Sequence, residues 1–423
     1  MSGQSEHIVI VGAGAAGLMA ARELARAGRT VTVLEARERC GGRILPLSAS
    51  EFGYPADGGA EFVHGDAPIT HALLREAGLS LQVIEGEQWS FDGTILSREG
   101  RHDPHEARLQ AALREIEGDL TVADFLRRHF SGPEYDHLRY VIERMVEGYD
   151  AADPERASTL ALREEWMDGG LHTQARIVGG YGALIDFLAA ECRAHGATIR
   201  FGCVVSVIEE AGGTMAVRCA GGDLHRCDRV ILTVPLPLLR DIALPSAARA
   251  KAAAADDIGF GSVIKIVLRF ARPWWRERTE DLADMTFLLS DQTIPVWWTR
   301  YPDRHPVLTG WFGGPRTAEL DSLDPQGLID AGLDSLAAIF GLPRDDLARD
   351  LVATAAINWA HDPLARGAYS WATPRTRGAQ EILAGADGPV LFSGEALYRG
   401  RDMGTVEAAL ASGLETAGMI LRG

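Results

Sequence analysis

Gly12, Gly14 and Gly17 stand at the spacing G-x-G-x-x-G, directly after the apolar run Ile8–Val11 and at the start of a helix-patterned stretch from about Ala15 to Gly28. In that context the three glycines have separate work. Gly12 permits a tight turn, Gly14 lets the backbone approach a pyrophosphate, and Gly17 lets the helix pack close on the strand. Ala15 and Ala16 fall in the first turn of that helix, whose N-terminus favours anions. Glu35 ends a second apolar strand, TVTVLEA, 18 residues after Gly17, where a carboxylate accepts from a ribose hydroxyl. A lone glycine motif would say little; with both strands and Glu35 it predicts dinucleotide binding.

Just beyond lies EARERCGGR, in which Arg39 and Arg43 flank Gly41-Gly42. A forked guanidinium suits a diphosphate, and paired glycines suit close backbone approach. This run resembles the RxGGR signature of the FAD-dependent amine oxidase superfamily, in which the second arginine contacts the pyrophosphate. The resemblance implies FAD rather than NAD and brings Ala36, Arg37, Gly42 and Arg43 into the cofactor site. It continues along the chain in family order. GCVVSVIEE is similar to the segment whose valine touches adenine, here Val204 or Val207, with Val204 preferred. VLFSGEA resembles the strand that delivers a glutamate to the ribityl chain, which assigns Gly394 and Glu395. GTVEAALASG resembles the terminal helix beneath the isoalloxazine, with Gly404, Thr405 and Val406 at its start and small residues allowing close approach to the ring.

Two stretches resemble amine oxidases in particular. Lys265 lies in VIKIVLRF between apolar neighbours; from the residues alone a solvated strand lysine is an equal reading, because lysines usually face water. The family counterpart holds a water against flavin N5. In NWAHDPLARGAYSWATP, Tyr369 falls on a wall tyrosine of the family's aromatic cage. Ala368 falls where monoamine oxidases carry the flavin-linking cysteine, so FAD is expected to be non-covalent. Thr405 takes the place of a second cage tyrosine, leaving Tyr369 alone or with a tryptophan from the 297–311 region. GGAEFVHG places Gly59, Ala60 and Glu61 beside the flavin and His64 on a histidine of animal-type polyamine oxidases. His64 is read as functional, against a loop histidine or a simple orienting hydrogen bond. Glu61 could offer an anion to a distal ammonium or be a surface loop charge.

The elements that must position these residues follow from periodicity. The opening strand, glycine turn, helix and strand form a βαβ unit. DAPITHALLREAGL reads as a helix with Asp66 as N-cap, Pro68 in the first turn and Gly78 after its end. The pattern is helical from about 105 to 170, with a possible capping pair in TVADFL. Short alternating runs with Gly-Gly turns then suggest a hairpin-rich piece that rejoins the first sheet. Beyond Pro235, VIKIVLRF, VWWTRY and VLTGWFGG read as strands of a separate layer, which holds seven of the nine tryptophans. The expected architecture is α/β: a Rossmann-type FAD-binding domain (1–70, 171–245, 371–423) interleaved with an α+β substrate-binding domain (71–170, 246–370), of amine oxidase and p-hydroxybenzoate hydroxylase-like type.

At 423 residues, 46% apolar and a net charge of −17, the chain reads as soluble and globular. That charge argues against a nucleic-acid partner. The five cysteines form no CxxC pair, no metal is expected, and the uncharged run Ile8 to Ala21 is too short and glycine-broken to span a membrane. The expected setting is cytoplasmic, with no membrane partner. The implied reaction is oxidation of an amine C–N bond to an imine with dioxygen reduced to hydrogen peroxide, polyamines being among the candidate substrates. The alternatives are a flavin desaturase or porphyrinogen-type oxidase acting on C–C bonds, an FAD-binding scaffold without turnover, or, weakest, a nicotinamide dehydrogenase.

Overall fold

The structure, a computed structural model, describes residues 6–98, 103–167, 174–278 and 282–422. Its first layer is a five-stranded parallel sheet in the order Val390–Phe392, Arg229–Leu232, His7–Val11, Thr30–Leu34, Thr198–Arg200. The continuous apolar run in the first strand follows from burial on both faces. Ile8, Ile10, Val31 and Val33 pack against the helices Ala15–Arg26, Gly180–Ala194 and Val406–Arg422. Val9, Val11, Leu34 and Val230 point the other way, into a core shared with the antiparallel meander Val205–Ala211, Thr214–Cys219 and Leu224–Cys227. The strand after the meander pairs with the first strand, as the hairpin-rich reading requires. These are the Rossmann elements of an α/β fold that also contains mixed sheets.

The second body is built on a seven-stranded sheet: Leu351–Asn358, Val263–Phe270, Val307–Gly313, Val296–Trp298, Met285–Ser290, Glu87–Phe91, Leu96–Ser97. Its pairs are antiparallel except for Met285–Ser290 with Glu87–Phe91. Side-chain alternation divides its faces. Ile264, Ile266, Leu288, Trp297, Leu308 and Phe312 pack with the helix Pro325–Phe340. Lys265, Phe287, Leu289, Trp298 and Trp311 face a cavity. Helices Glu106–Arg114, Val122–His129 and Asp136–Gly148 form a further layer with its own apolar core. Thr121 caps the second of these by accepting from Asp124 N, as the TVADFL pattern suggested.

Two local readings are corrected. Helix Pro68–Ala77 is not capped by Asp66: Ala67 occupies the cap position, and the Glu407 carboxylate accepts from Ile69 N and Thr70 N at 2.8 Å. A buried acid from a distant helix thus satisfies amides that a local side chain was expected to serve. The closing helix begins at Val406, not Gly404. Gly404 sits in the turn with φ +85°, and Thr405 caps the helix by accepting from Ala408 N. Its small residues serve helix packing as well, since a Cβ at Gly413 would lie 2.3 Å from the Ala16 carbonyl oxygen. Leu73 and Leu74 of helix Pro68–Ala77 pack in the core of the parallel sheet, and the expected boundary at 170/171 lies outside the described residues.

Candidate active site

One cavity of about 2180 Å³ runs from the glycine turn to the seven-stranded sheet and on to the helical layer. That is roughly twice the upper end of ordinary small-molecule sites (~300–1,000 Å³), enough for a dinucleotide with a substrate beyond it. The sequence-predicted residues line it except Gly17, Arg39 and the alternative Val207. Gly17 lies beneath the turn, where a Cβ would stand 2.0 Å from the Gly12 carbonyl oxygen; its role is packing. Gly12 has φ +108°, and a Cβ there would meet Thr233 Oγ1 at 2.6 Å. At Gly14 a Cβ would meet nothing nearer than the Gly41 carbonyl oxygen at 4.0 Å, and at Gly394 nothing within 4 Å. These open backbone surfaces, facing the N-terminus of helix Ala15–Arg26, form a cradle that fits a pyrophosphate.

Around the cradle, Glu35 Oε2 accepts from Ala13 N at 2.7 Å and Oε1 from Arg37 N at 2.8 Å. The carboxylate ties the glycine turn to the second strand and retains lone pairs for a diol. Arg37 pairs with Asp362 at 2.7 Å. Arg39 is no loose surface charge: it donates to the carbonyls of Cys40, Gly42 and Ile44 and so shapes the glycine loop. Arg43 donates to Glu395 Oε1 at 2.7 Å and to the Ala368 carbonyl at 2.8 Å, joining the N-terminal motif to the last strand. Glu395 also accepts from Ser370 Oγ. Val204 is part-exposed on the cavity wall, whereas Val207 is not among the lining residues.

At the other end of the cavity the register brings three side chains together. Lys265 pairs across the ladder with Trp311, and the Trp311 ring lies nearly parallel to Tyr369 at 6.3 Å. Trp298 packs against Trp311 at 5.8 Å. His64 sits in the short strand Val63–His64, edge-on to Phe62 and Tyr149. Thr405 Oγ1 donates to the Asp402 carbonyl at 2.6 Å, so its hydroxyl is engaged in the turn that starts the last helix.

Lys265 is 1% exposed, so the solvated-strand reading fails. Its ammonium donates to Glu61 Oε2 at 2.8 Å and to the Gly59 carbonyl at 3.0 Å. Glu61 is likewise buried, and so is not a surface loop charge. Besides Lys265 it accepts from Arg176 Nε at 2.8 Å, Arg300 Nη1 at 3.3 Å and Trp298 Nε1 at 3.1 Å. Both carboxylate oxygens are therefore occupied by protein donors. Burial alone would raise the Glu61 carboxyl, but Lys265, Arg176 and Arg300 together hold it well below the usual carboxylate range. Nearby Asp57 is pushed up to about 7 by burial and by the Glu61 charge.

Trp311 is one of the three tryptophans of the 297–311 region that the sequence offers beside Tyr369; Arg176 and Arg300 are not singled out there as site residues. One signal was available: the chain contains two lysines, Lys251 and Lys265, among 42 basic residues. A sequence that otherwise uses arginine, yet keeps lysine inside an apolar strand, marks that position. The arginines carried no comparable sign, because their meeting depends on long-range pairing of separate sheets.

The fold and the site together define a flavoprotein-type oxidoreductase. The sequence matches the family of flavin-containing amine oxidoreductases over residues 15–421, and the chain belongs to that family. Its fold and family support FAD as the cofactor. Among curated relatives it is 25% identical over 98% of its length to lysine-specific histone demethylase 1 homolog 3 of Arabidopsis thaliana, of which it covers 30%. It is 27% identical over 86% of its length to probable polyamine oxidase 4 of the same plant, covering 76% of that protein. The chain spans between 30% and 59% of the length of three demethylase homologues it matches. In fold it is similar to putrescine oxidase bound to putrescine, with a TM-score of 0.81 over 99% of each chain at 21% identity.

Proposed function

We propose that this chain is an FAD-dependent amine oxidase that oxidises the C–N bond of an amine to an imine and passes the electrons to dioxygen, releasing hydrogen peroxide. The observation that carries the reading is the placement of Lys265, Trp311 and Tyr369 on the wall of the same cavity as the glycine cradle. Bound FAD would supply the redox chemistry, taking two electrons from the amine and yielding them to dioxygen. The protein's part is binding, orientation and electrostatics. The Gly12–Gly17 turn, Glu35, Arg43 and Glu395 would hold the cofactor without a covalent link, since Ala368 offers no thiol. The aromatic walls disfavour the charged ammonium by desolvation, while their faces still attract a cation approaching the site.

A substrate with a second amine is favoured by the lining where the cavity passes the helical layer. Asp103, Glu106, Glu147, Asp150 and Asp291 stand there against Arg144 and Arg316. Glu147 already pairs with Arg144 at 2.9 Å, yet burial and the carboxylates of Glu143, Asp153 and Glu319 still push it up to about 7, a setting that a further cation relieves. The domain interleaving is read as amine oxidase and p-hydroxybenzoate hydroxylase-like, and the five free thiols accord with a cytoplasmic setting. No helix among the described residues is long and apolar enough to cross a membrane.

The test is peroxide release across polyamines, monoamines and amino acids, with product masses to show which C–N bond is cut. Peroxide from a diamine or polyamine supports the reading. Flavin bleaching by an alkene-forming substrate, with every amine inert, would replace it with the desaturase alternative; bound flavin that no substrate bleaches would leave a scaffold.

A further inference from the structure

We propose that Glu61 is a positioning residue that acts through Lys265. An ammonium has three hydrogens in tetrahedral array. Two of those on Lys265 are directed to Glu61 Oε2 and the Gly59 carbonyl oxygen, both from the loop that also lines the cavity. The third is left to point into the cavity that Lys265 lines. Glu61 does not swing, because Arg176 and Arg300 grip Oε1 and the Trp298 indole N–H reaches both oxygens. Arg176 is itself fixed by the Thr299 carbonyl at 3.0 Å. The Lys265 ammonium also lies 5.4 Å from the ring centre of Trp298, which lines the same cavity.

The unequal charge count strengthens the argument. Three cations meet one buried carboxylate, with Asp57 as the neighbouring acid and the Tyr54 ring beneath Arg300. A buried group of that composition persists only if its anion is held where each cation can reach it. Glu61 is therefore committed to Lys265 and the arginines and is not a receptor for a substrate ammonium.

The proposal rests on the amine oxidase reading only for its kinetic arm. The first arm needs no substrate: with only two lysines in the chain, 15N-lysine labelling of the FAD-loaded protein gives one side-chain signal for Lys265 and one for Lys251 as internal reference. Lys265 hydrogens should exchange with water at least about tenfold more slowly than those of Lys251, and Glu61→Gln should raise the Lys265 rate by about tenfold, the loss expected of one hydrogen bond to a charged group. Should Glu61→Gln not fold, Arg300→Met, which removes the longest of the three ion-pair contacts, should move the rate in the same direction by a smaller factor. Equal exchange of the two lysines in the native protein, or an unchanged Lys265 rate in the folded variant, overturns the proposal.

The second arm is a double-mutant cycle on flavin reoxidation. Glu61→Gln and Lys265→Met should each slow it, and the double variant should be no slower than Lys265→Met alone. Additive losses would show that Glu61 acts independently of Lys265. An enzyme inert toward every amine would remove only this arm, leaving the exchange result to stand on its own.

Discussion

The Trp311 and Tyr369 rings lie 18° from parallel with centres 6.3 Å apart, and both polar tips are tied to the same turn. Trp311 Nε1 donates to the Gly148 carbonyl at 2.8 Å, and Tyr369 OH donates to the Tyr149 carbonyl at 2.6 Å. The pair is thus fixed from one end by the close of helix Asp136–Gly148. Replacing Trp311 with Ala should lower kcat/KM for the best amine by at least about tenfold, the scale of a desolvated cation–π contact together with lost orientation. Trp311→Phe should keep most of it. Steady-state kinetics decide the matter, and full kcat/KM in the alanine variant would remove Trp311 from the site.

Lys265→Met tests the cavity lysine directly. The side chain is close in length, so packing within the strand Val263–Phe270 survives while the charge goes. Flavin reoxidation should slow by at least about tenfold, as expected when a charge-assisted contact is lost from an electrostatic site. FAD should still bind, because Lys265 touches Gly59 and Glu61 and none of the cradle residues Gly12, Gly14 and Glu35. Stopped-flow mixing of reduced enzyme with dioxygen gives the rate; an unchanged rate would end the assignment.

Gly14 and Gly17 separate cofactor binding from folding. A Cβ at Gly17 would overlap the Gly12 carbonyl oxygen at 2.0 Å, so Gly17→Ala should unfold the turn or lower Tm sharply. A Cβ at Gly14 has no close protein neighbour, so Gly14→Ala should fold with native circular dichroism and bind FAD at least about tenfold more weakly by blocking close backbone approach. Titration of apoprotein with FAD reads the second effect. Equal FAD affinity in native protein and Gly14→Ala would mean that no pyrophosphate rests there.

Much of this was legible in the sequence wherever the signal was local. Strand Val263–Phe270, the first βαβ unit and the cap at Thr121 are short-range patterns, and they appear where periodicity put them. The nucleotide-side residues could be named because backbone chemistry demands glycine at fixed spacings. What escaped was long-range. Glu61 contacts residues 115 to 239 positions away, so nothing near it in the sequence distinguished a buried anion from a loop charge. Glu407 capping a helix 337 positions earlier is the same kind of fact. Thr405 was read for what it lacks, a cage ring, when its local chemistry already marked it as a helix cap.

Asp57 makes a prediction about pH. In the fold its carboxyl is pushed up to about 7, by burial first and by Glu61 second, from an ordinary value of 3.8. Between those values the folded chain retains a proton that the unfolded chain has released, so stability falls as pH rises through the window. Glu61 does not offset this: its carboxyl is held low, and the stability it contributes is lost only in stronger acid. Glu147, also pushed up to about 7, adds a slope of the same sign. Asp57→Asn mimics the protonated acid and can still accept from the Tyr181 amide. The variant should match the native protein near pH 4 and be the more stable one at pH 8, by on the order of a few kcal/mol, with the Glu147 slope retained and opposed by His225 and His305, whose pKa values burial lowers. Urea unfolding across pH 4 to 8 measures both curves. Parallel curves would place the Asp57 titration outside the folded-state balance.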